Sequence, residues 1–142
     1  MKTLEFGFVI DADRETVWNT MFTLDTYEKW ASAFCEGSTF EGSWDEGARI
    51  CFLGPGGDGM MSVIAESRPH EFLSIKHLGE IKNGVEDTKS EWASCFENYH
   101  LTDLGGSTEV RVVTDTLGDF EEFMTDAWPR ALATLKSLSE SA

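Results

Sequence analysis

Between Ser38 and Leu117, turn-forming breaks recur so closely that no stretch remains for a crossover helix. They are Asp45-Glu46-Gly47, Gly54-Pro55-Gly56-Gly57-Asp58-Gly59, Ser67-Arg68-Pro69, Asn83-Gly84 and Gly105-Gly106. Gly, Pro and Asn interrupt regular structure and supply the backbone angles of tight turns. The segments left between them, residues 38–41, 48–53, 60–67, 71–81, 91–102 and 107–117, read as strands. Parallel strands need connections of a dozen or more residues, so this spacing predicts an antiparallel meander joined by hairpins.

The two ends of the chain read differently. Leu4, Phe6, Phe8 and Ile10 alternate with Glu5, Gly7, Val9 and Asp11, the pattern of a half-buried strand. Asp13 follows as a helix cap, and Val17, Trp18, Met21, Phe22 and Leu24 share one face of a helix expected over residues 14–24. Asp25 can cap a second short helical turn over residues 26–30. From 119 to 141, Phe120, Phe123, Met124, Ala127, Trp128, Ala131, Leu132, Leu135 and Leu138 recur at spacings of three and four, which predicts one long amphipathic helix. Pro129 removes one backbone hydrogen bond and crowds the carbonyl of Thr125. Because the apolar spacing continues past it, a bend near Thr125 is expected, not an end.

An α+β architecture follows: a curved antiparallel sheet of about seven strands wrapped around the C-terminal helix, with two short helices after the first strand. In that arrangement the helix stripe and one face of each strand bury each other. The 142 residues fit a single domain over 1–142. Twenty-six Asp and Glu against 11 Lys and Arg give a net charge of -15, which disfavours nucleic acid and membrane surfaces as partners, since both attract Lys and Arg. No apolar run approaches the ~18–20 residues of a membrane span, and the start Met1-Lys2-Thr3-Leu4-Glu5-Phe6 lacks a basic region followed by an apolar one. A cytoplasmic location is the expectation. Cys35, Cys51 and Cys95 are odd in number and widely spaced, as expected of reduced, buried thiols and not of a disulfide framework. Gly54 to Gly59 matches G-x-G-x-x-G, but a strand-like segment follows it where a dinucleotide site needs a helix. No metal-ligand spacing is present, and no cofactor is expected.

Several pieces of sequence, in order, carry a family resemblance. They are Ile10-Asp11-Ala12-Asp13-Arg14-Glu15-Thr16-Val17-Trp18, with Trp30 near the end of the second helix; Gly42 to Phe52; Glu66-Ser67-Arg68-Pro69-His70-Glu71-Phe72-Leu73; Tyr99 to Val110, with its Gly105-Gly106 turn; and Trp128-Pro129-Arg130-Ala131-Leu132 with Leu135-Lys136. On these residues the chain resembles the START/SRPBCC superfamily, the helix-grip proteins that include the birch-allergen type and polyketide cyclases. Within it the chain is most similar to the branch named after homologues of an activator of a heat-shock chaperone ATPase. The resemblance implies a cavity between the concave face of the sheet and the last helix. Members differ in whether they bind lipids, hormones, polyketides or nothing identified, so function has to be argued from the site.

A hairpin at Asn83-Gly84 whose paired residue numbers sum to about 174 would set Leu73 opposite Leu101, Ile75 opposite Tyr99 and His77 opposite Glu97. The large apolar members point that side inward, leaving His77 and Glu97 as a polar pair among aromatics. Such a pair can orient a ligand hydroxyl or carbonyl, or move a proton. Trp30, Phe52, Ile64, Ile75, Tyr99, Met124 and Trp128 are the expected apolar lining beside them. Three functions are compatible: a protein that binds a hydrophobic or aromatic small molecule; an enzyme of the cyclase, dehydratase or hydrolase kind with His77 and Glu97 as acid and base; and a co-chaperone-like protein-binding module. The compatible partners are a hydrophobic small molecule and a second copy of the chain.

Overall fold

In the computed structural model, which describes residues 2–142, the meander forms as one antiparallel sheet. Its strands are β1 (Lys2–Ile10), β2 (Thr39–Gly42), β3 (Arg49–Leu53), β4 (Gly59–Arg68), β5 (Phe72–Lys82), β6 (Val85–Asp87), β7 (Phe96–Asp103) and β8 (Thr108–Thr116). The order across the sheet is β1-β8-β7-β5-β4-β3-β2, and β6 pairs with β5 off that path. Three helices complete the described residues: α1 (Arg14–Phe22), α2 (Leu24–Ala31) and α3 (Glu121–Glu140), the last entered through a 3₁₀ turn at Gly118–Phe120. This is the helix-grip arrangement of two short helices after the first strand and a long one at the end. No helix among the described residues is long and apolar enough to cross a membrane.

Local chemistry sets the helix ends. The Asp13 carboxylate accepts a 2.8 Å hydrogen bond from the Thr16 backbone N–H, which satisfies one of the free donors at the start of α1. Thr23 is extended (φ -89°, ψ 137°), so α1 stops at Phe22 and α2 begins at once with Thr23, not Asp25, at its cap position. The Trp30 indole N–H donates to the Met21 carbonyl at 3.0 Å and ties the two helices together. α3 runs unbroken through Pro129, because Ala127, Trp128, Ala131, Leu132 and Leu135 are buried along one face. Each such Leu, fully buried, is worth ~1.5–3 kcal/mol, enough for two of them to offset the ~3 kcal/mol of the proline. Phe120 and Phe123, expected on that face, are instead 43% and 45% exposed. They precede the point at which the helix meets the core.

The sequence-based pairing of β5 with β7 is corrected by two residues. Leu73 lies opposite Tyr99 and Ile75 opposite Glu97. The Asn83-Gly84 turn leads into β6, with Lys82 opposite Val85, and residues 88–95 then turn back before β7 starts at Phe96. A β-bulge sits at the junction: Ser94 is left-handed (φ 73°), its N–H donates to the His77 carbonyl at 2.8 Å, and the His77 N–H donates to the Cys95 carbonyl at 2.9 Å. A slip of two keeps every side chain on its own face. β5 and β6 also approach so closely that a Cβ at Gly79 would stand 2.2 Å from the Asp87 carbonyl oxygen, which is why that position is glycine.

The core lies between the sheet's concave face and the helices, with Ile10, Val17, Met21, Ile50, Leu73, Tyr99, Val110, Val112 and Leu135 buried together. All three cysteines are free thiols. Cys95 is buried and Cys51 half-buried, but Cys35 is exposed in the turn after α2, against expectation.

Candidate functional site

Between α2, the start of α3 and the outer half of the sheet, side chains do not meet, and a cavity of about 360 Å³ remains. α2 contributes Tyr27 and Trp30, three residues apart and so on one helix face. Phe52 comes from β3, Met60 from β4, His77 from β5, Glu97 and Tyr99 from β7, and Met124 and Trp128 from α3. Phe34, Trp92 and Phe123 complete the aromatic wall. Exposed Cys35, Asp58 and Phe123 mark the mouth, while buried Tyr27, Trp30, His77, Tyr99 and Trp128 mark the depth.

The wall is built from packed rings. Trp128 meets Phe34 edge-on at 4.8 Å and lies 6.2 Å from Trp30 and 6.1 Å from Tyr99. Tyr27 packs edge-on against Trp30 at 5.0 Å, and Phe52 stands 6.4 Å from the His77 ring. Such edge and offset contacts hold aromatic side chains in fixed orientations. The Trp128 indole Nε1 is buried without a hydrogen-bond partner.

Two polar pairs interrupt this surface. His77 Nδ1 and Ser62 Oγ share a 2.7 Å hydrogen bond between opposed residues of β5 and β4. Burial pulls the His77 imidazole down to about 4, against a weaker upward pull from Asp115, so the ring is neutral near pH 7. The Tyr99 phenol donates to Glu97 Oε2; the two residues are two apart on β7 and therefore share a face. Burial pushes the Glu97 carboxyl above its ordinary range, and the Tyr99 hydrogen bond only partly opposes it. Burial and the nearby Glu97 hold both Tyr99 and Tyr27 well above the usual phenol range. Of these groups, Glu97 is the one carboxyl, and it is half-buried at the cavity wall.

Of the residues singled out from the sequence, Trp30, Phe52, His77, Glu97, Tyr99, Met124 and Trp128 are brought together around the cavity. Ile64 and Ile75 are not: they face each other across β4 and β5, fully buried in the core. Nor do His77 and Glu97 form a pair. With the corrected register, Ser62 stands opposite His77 on β4 and Ile75 opposite Glu97, and each polar group has its own partner. Tyr27, Phe34, Met60 and Trp92 were missed. The spacing of Tyr27 to Trp30 could have shown the first, but Trp92 arrives on a turn whose path no pattern in the sequence specifies.

No family model matches the sequence, and no curated protein matches it. Solved structures do. Protein MLL2253 from Mesorhizobium loti superposes with a TM-score of 0.77 at 15% identity, over 99% of this chain and 98% of that one. The Aha1 dimer from Colwellia psychrerythraea gives 0.69 at 20% identity, over 99% and 96%. CalU16 from Micromonospora echinospora gives 0.69 at 17% identity, over 96% and 75%. The chain has the helix-grip fold. At these identities the likeness is one of fold alone.

Proposed function

We propose that this chain, folded as one domain, is a binding protein for an apolar or aromatic small molecule held in the cavity. One observation carries the reading: a preformed space of about 360 Å³, walled largely by aromatic rings, into which His77, bonded to Ser62, and Glu97, bonded to Tyr99, bring polar groups. Ligand sites are typically ~300–1,000 Å³, mostly apolar, with a few placed polar groups that orient the ligand. The acid–base reading is less supported, because His77 and Glu97 each satisfy a different neighbour instead of converging on one point. The protein-binding reading has no feature of the cavity in its favour.

Thermal-shift measurements with polycyclic aromatics, steroids and long-chain alcohols test it. A ligand at one hundred times its Kd adds ~2.7 kcal/mol to the native state and raises Tm by several degrees. Met124→Trp, which fills the space from α3, should remove that shift. If no ligand stabilises the chain, or if the shift survives Met124→Trp, the cavity is not the binding site.

A further inference from the structure

We propose that Glu97 makes the cavity selective for an apolar ligand that carries a protonated amine, and selective against the corresponding carboxylic acid. The inference rests on the cavity being a ligand site and names the chemical class that site would take. None of the residues lining the cavity is Lys or Arg. An anionic headgroup would therefore enter an apolar space with no counter-charge, past Asp58 at the mouth and into a chain of net charge -15. Burying an unpaired charge is strongly unfavourable.

Glu97 presents the opposite situation. Among the described residues it forms no ion pair, and its one side-chain partner is the Tyr99 phenol, which occupies Oε2 and leaves Oε1 free. A carboxyl lining the cavity without a cation is an arrangement that a ligand ammonium completes: it supplies the missing charge and donates to the free oxygen. Tyr27, Trp30 and Trp128 line the same space, and an aromatic face turned to a bound cation attracts it through the ring quadrupole.

Protonation follows the same logic. The titratable groups that share the cavity with Glu97 are Tyr99 on its own strand, Tyr27 from α2, His77 from β5, and Cys35 and Asp58 at the mouth, of which Tyr99 and Tyr27 feel its charge; Thr114, opposite on β8, and Met124 and Trp128 from α3 bring no charge. His77 is neutral near pH 7 and both phenols are protonated, so none of the three supplies a cation. With its carboxyl raised by burial, Glu97 must lose its proton to pair with an ammonium. Amine affinity should thus rise with pH through the Glu97 titration, while the affinity of a neutral ligand stays level.

Isothermal titration with three probes that share one ring system decides the matter: 2-naphthylmethylamine, 2-naphthalenemethanol and 2-naphthoic acid, at pH 7.5 and low salt. The amine should bind about tenfold more tightly than the alcohol, and the acid more weakly than both. In Glu97→Gln, which keeps the shape and removes the charge, amine and alcohol should converge to within roughly twofold. Wild-type titrations of the amine at pH 4.5 and 7.5 give a second readout that needs no variant, with tighter binding expected at the higher pH. Alcohol or acid binding as tightly as the amine, a preference that survives Glu97→Gln, or amine affinity equal at the two pH values would overturn the proposal while leaving the cavity a ligand site. No heat from any of the three probes would overturn both readings.

Discussion

Burial keeps the His77 imidazole neutral until the pH falls to about 4 in the folded chain, whereas an unfolded histidine titrates near 6.5. Between those values the unfolded chain binds more protons than the folded one, so stability rises with pH through this window and is lost as pH falls across it. At ~1.4 kcal/mol per pH unit, His77 accounts for at most roughly 3–4 kcal/mol of that loss. Asp13, Asp103 and Glu140, held below their ordinary values by hydrogen bonds, lose stability in the same direction at lower pH, while the raised Glu97 acts oppositely. A comparison of variants separates these contributions. Urea midpoints of the wild type and His77→Gln at pH 7 and pH 4.5 should show the variant losing less over the interval; equal losses would mean that His77 does not couple protonation to folding. The inward position of His77 was legible from strand alternation alone. Its Ser62 partner was not, because β4 is bulged at Met61/Ser62 and the opposition depends on that irregularity.

α1 shows how much a single side chain contributes to an element. It is nine residues long, below the length at which a helix is stable alone, so capping and packing hold it. Asp13→Ala should cost about 1 kcal/mol in urea unfolding by leaving the Thr16 N–H without its acceptor, and Asp13→Asn less. Equal midpoints for Asp13→Ala and wild type would show that water replaces the cap. This element was readable from sequence because its signal lies within four residues. β6 was not readable: Val85–Asp87 is three residues, all exposed, with no alternation to mark a strand. Its formation moved the β7 pairing by two and dissolved the expected His77–Glu97 pair, although the faces and most of the cavity lining survived. An even slip is invisible to an argument from alternation and decisive for one about contacts.

For the whole molecule, charge sets the balance. The chain's ion pairs, such as Arg130–Asp126 and Lys2–Glu121, lie on the surface, where each is worth ~0–1 kcal/mol and weakens with salt. Against them stands an excess of 15 negative charges whose mutual repulsion salt also weakens. With 26 acidic residues and only 11 basic ones, repulsion outweighs attraction. Raising NaCl from 0.05 to 0.5 M should therefore stabilise the fold, on the order of 1 kcal/mol, as a rise in Tm by calorimetry. A fall in Tm would show that the surface pairs dominate.

The forked pairing of β5 gives one strand two fates. On the edge away from β4, Phe72 to Lys76 pair with β7 inside the core, while Glu80 to Lys82 pair with the short, exposed β6. Backbone amides at the first end open with the global unfolding of the sheet, and those at the second with a local event of much lower cost. The His77 N–H lies between the two regimes, bonded to the bulge that ends at Cys95. The cavity's polar end is thus anchored on one side to a paired, buried strand and bordered on the other by a short, exposed one, so amide exchange should be slower on the first side than at the β6 edge.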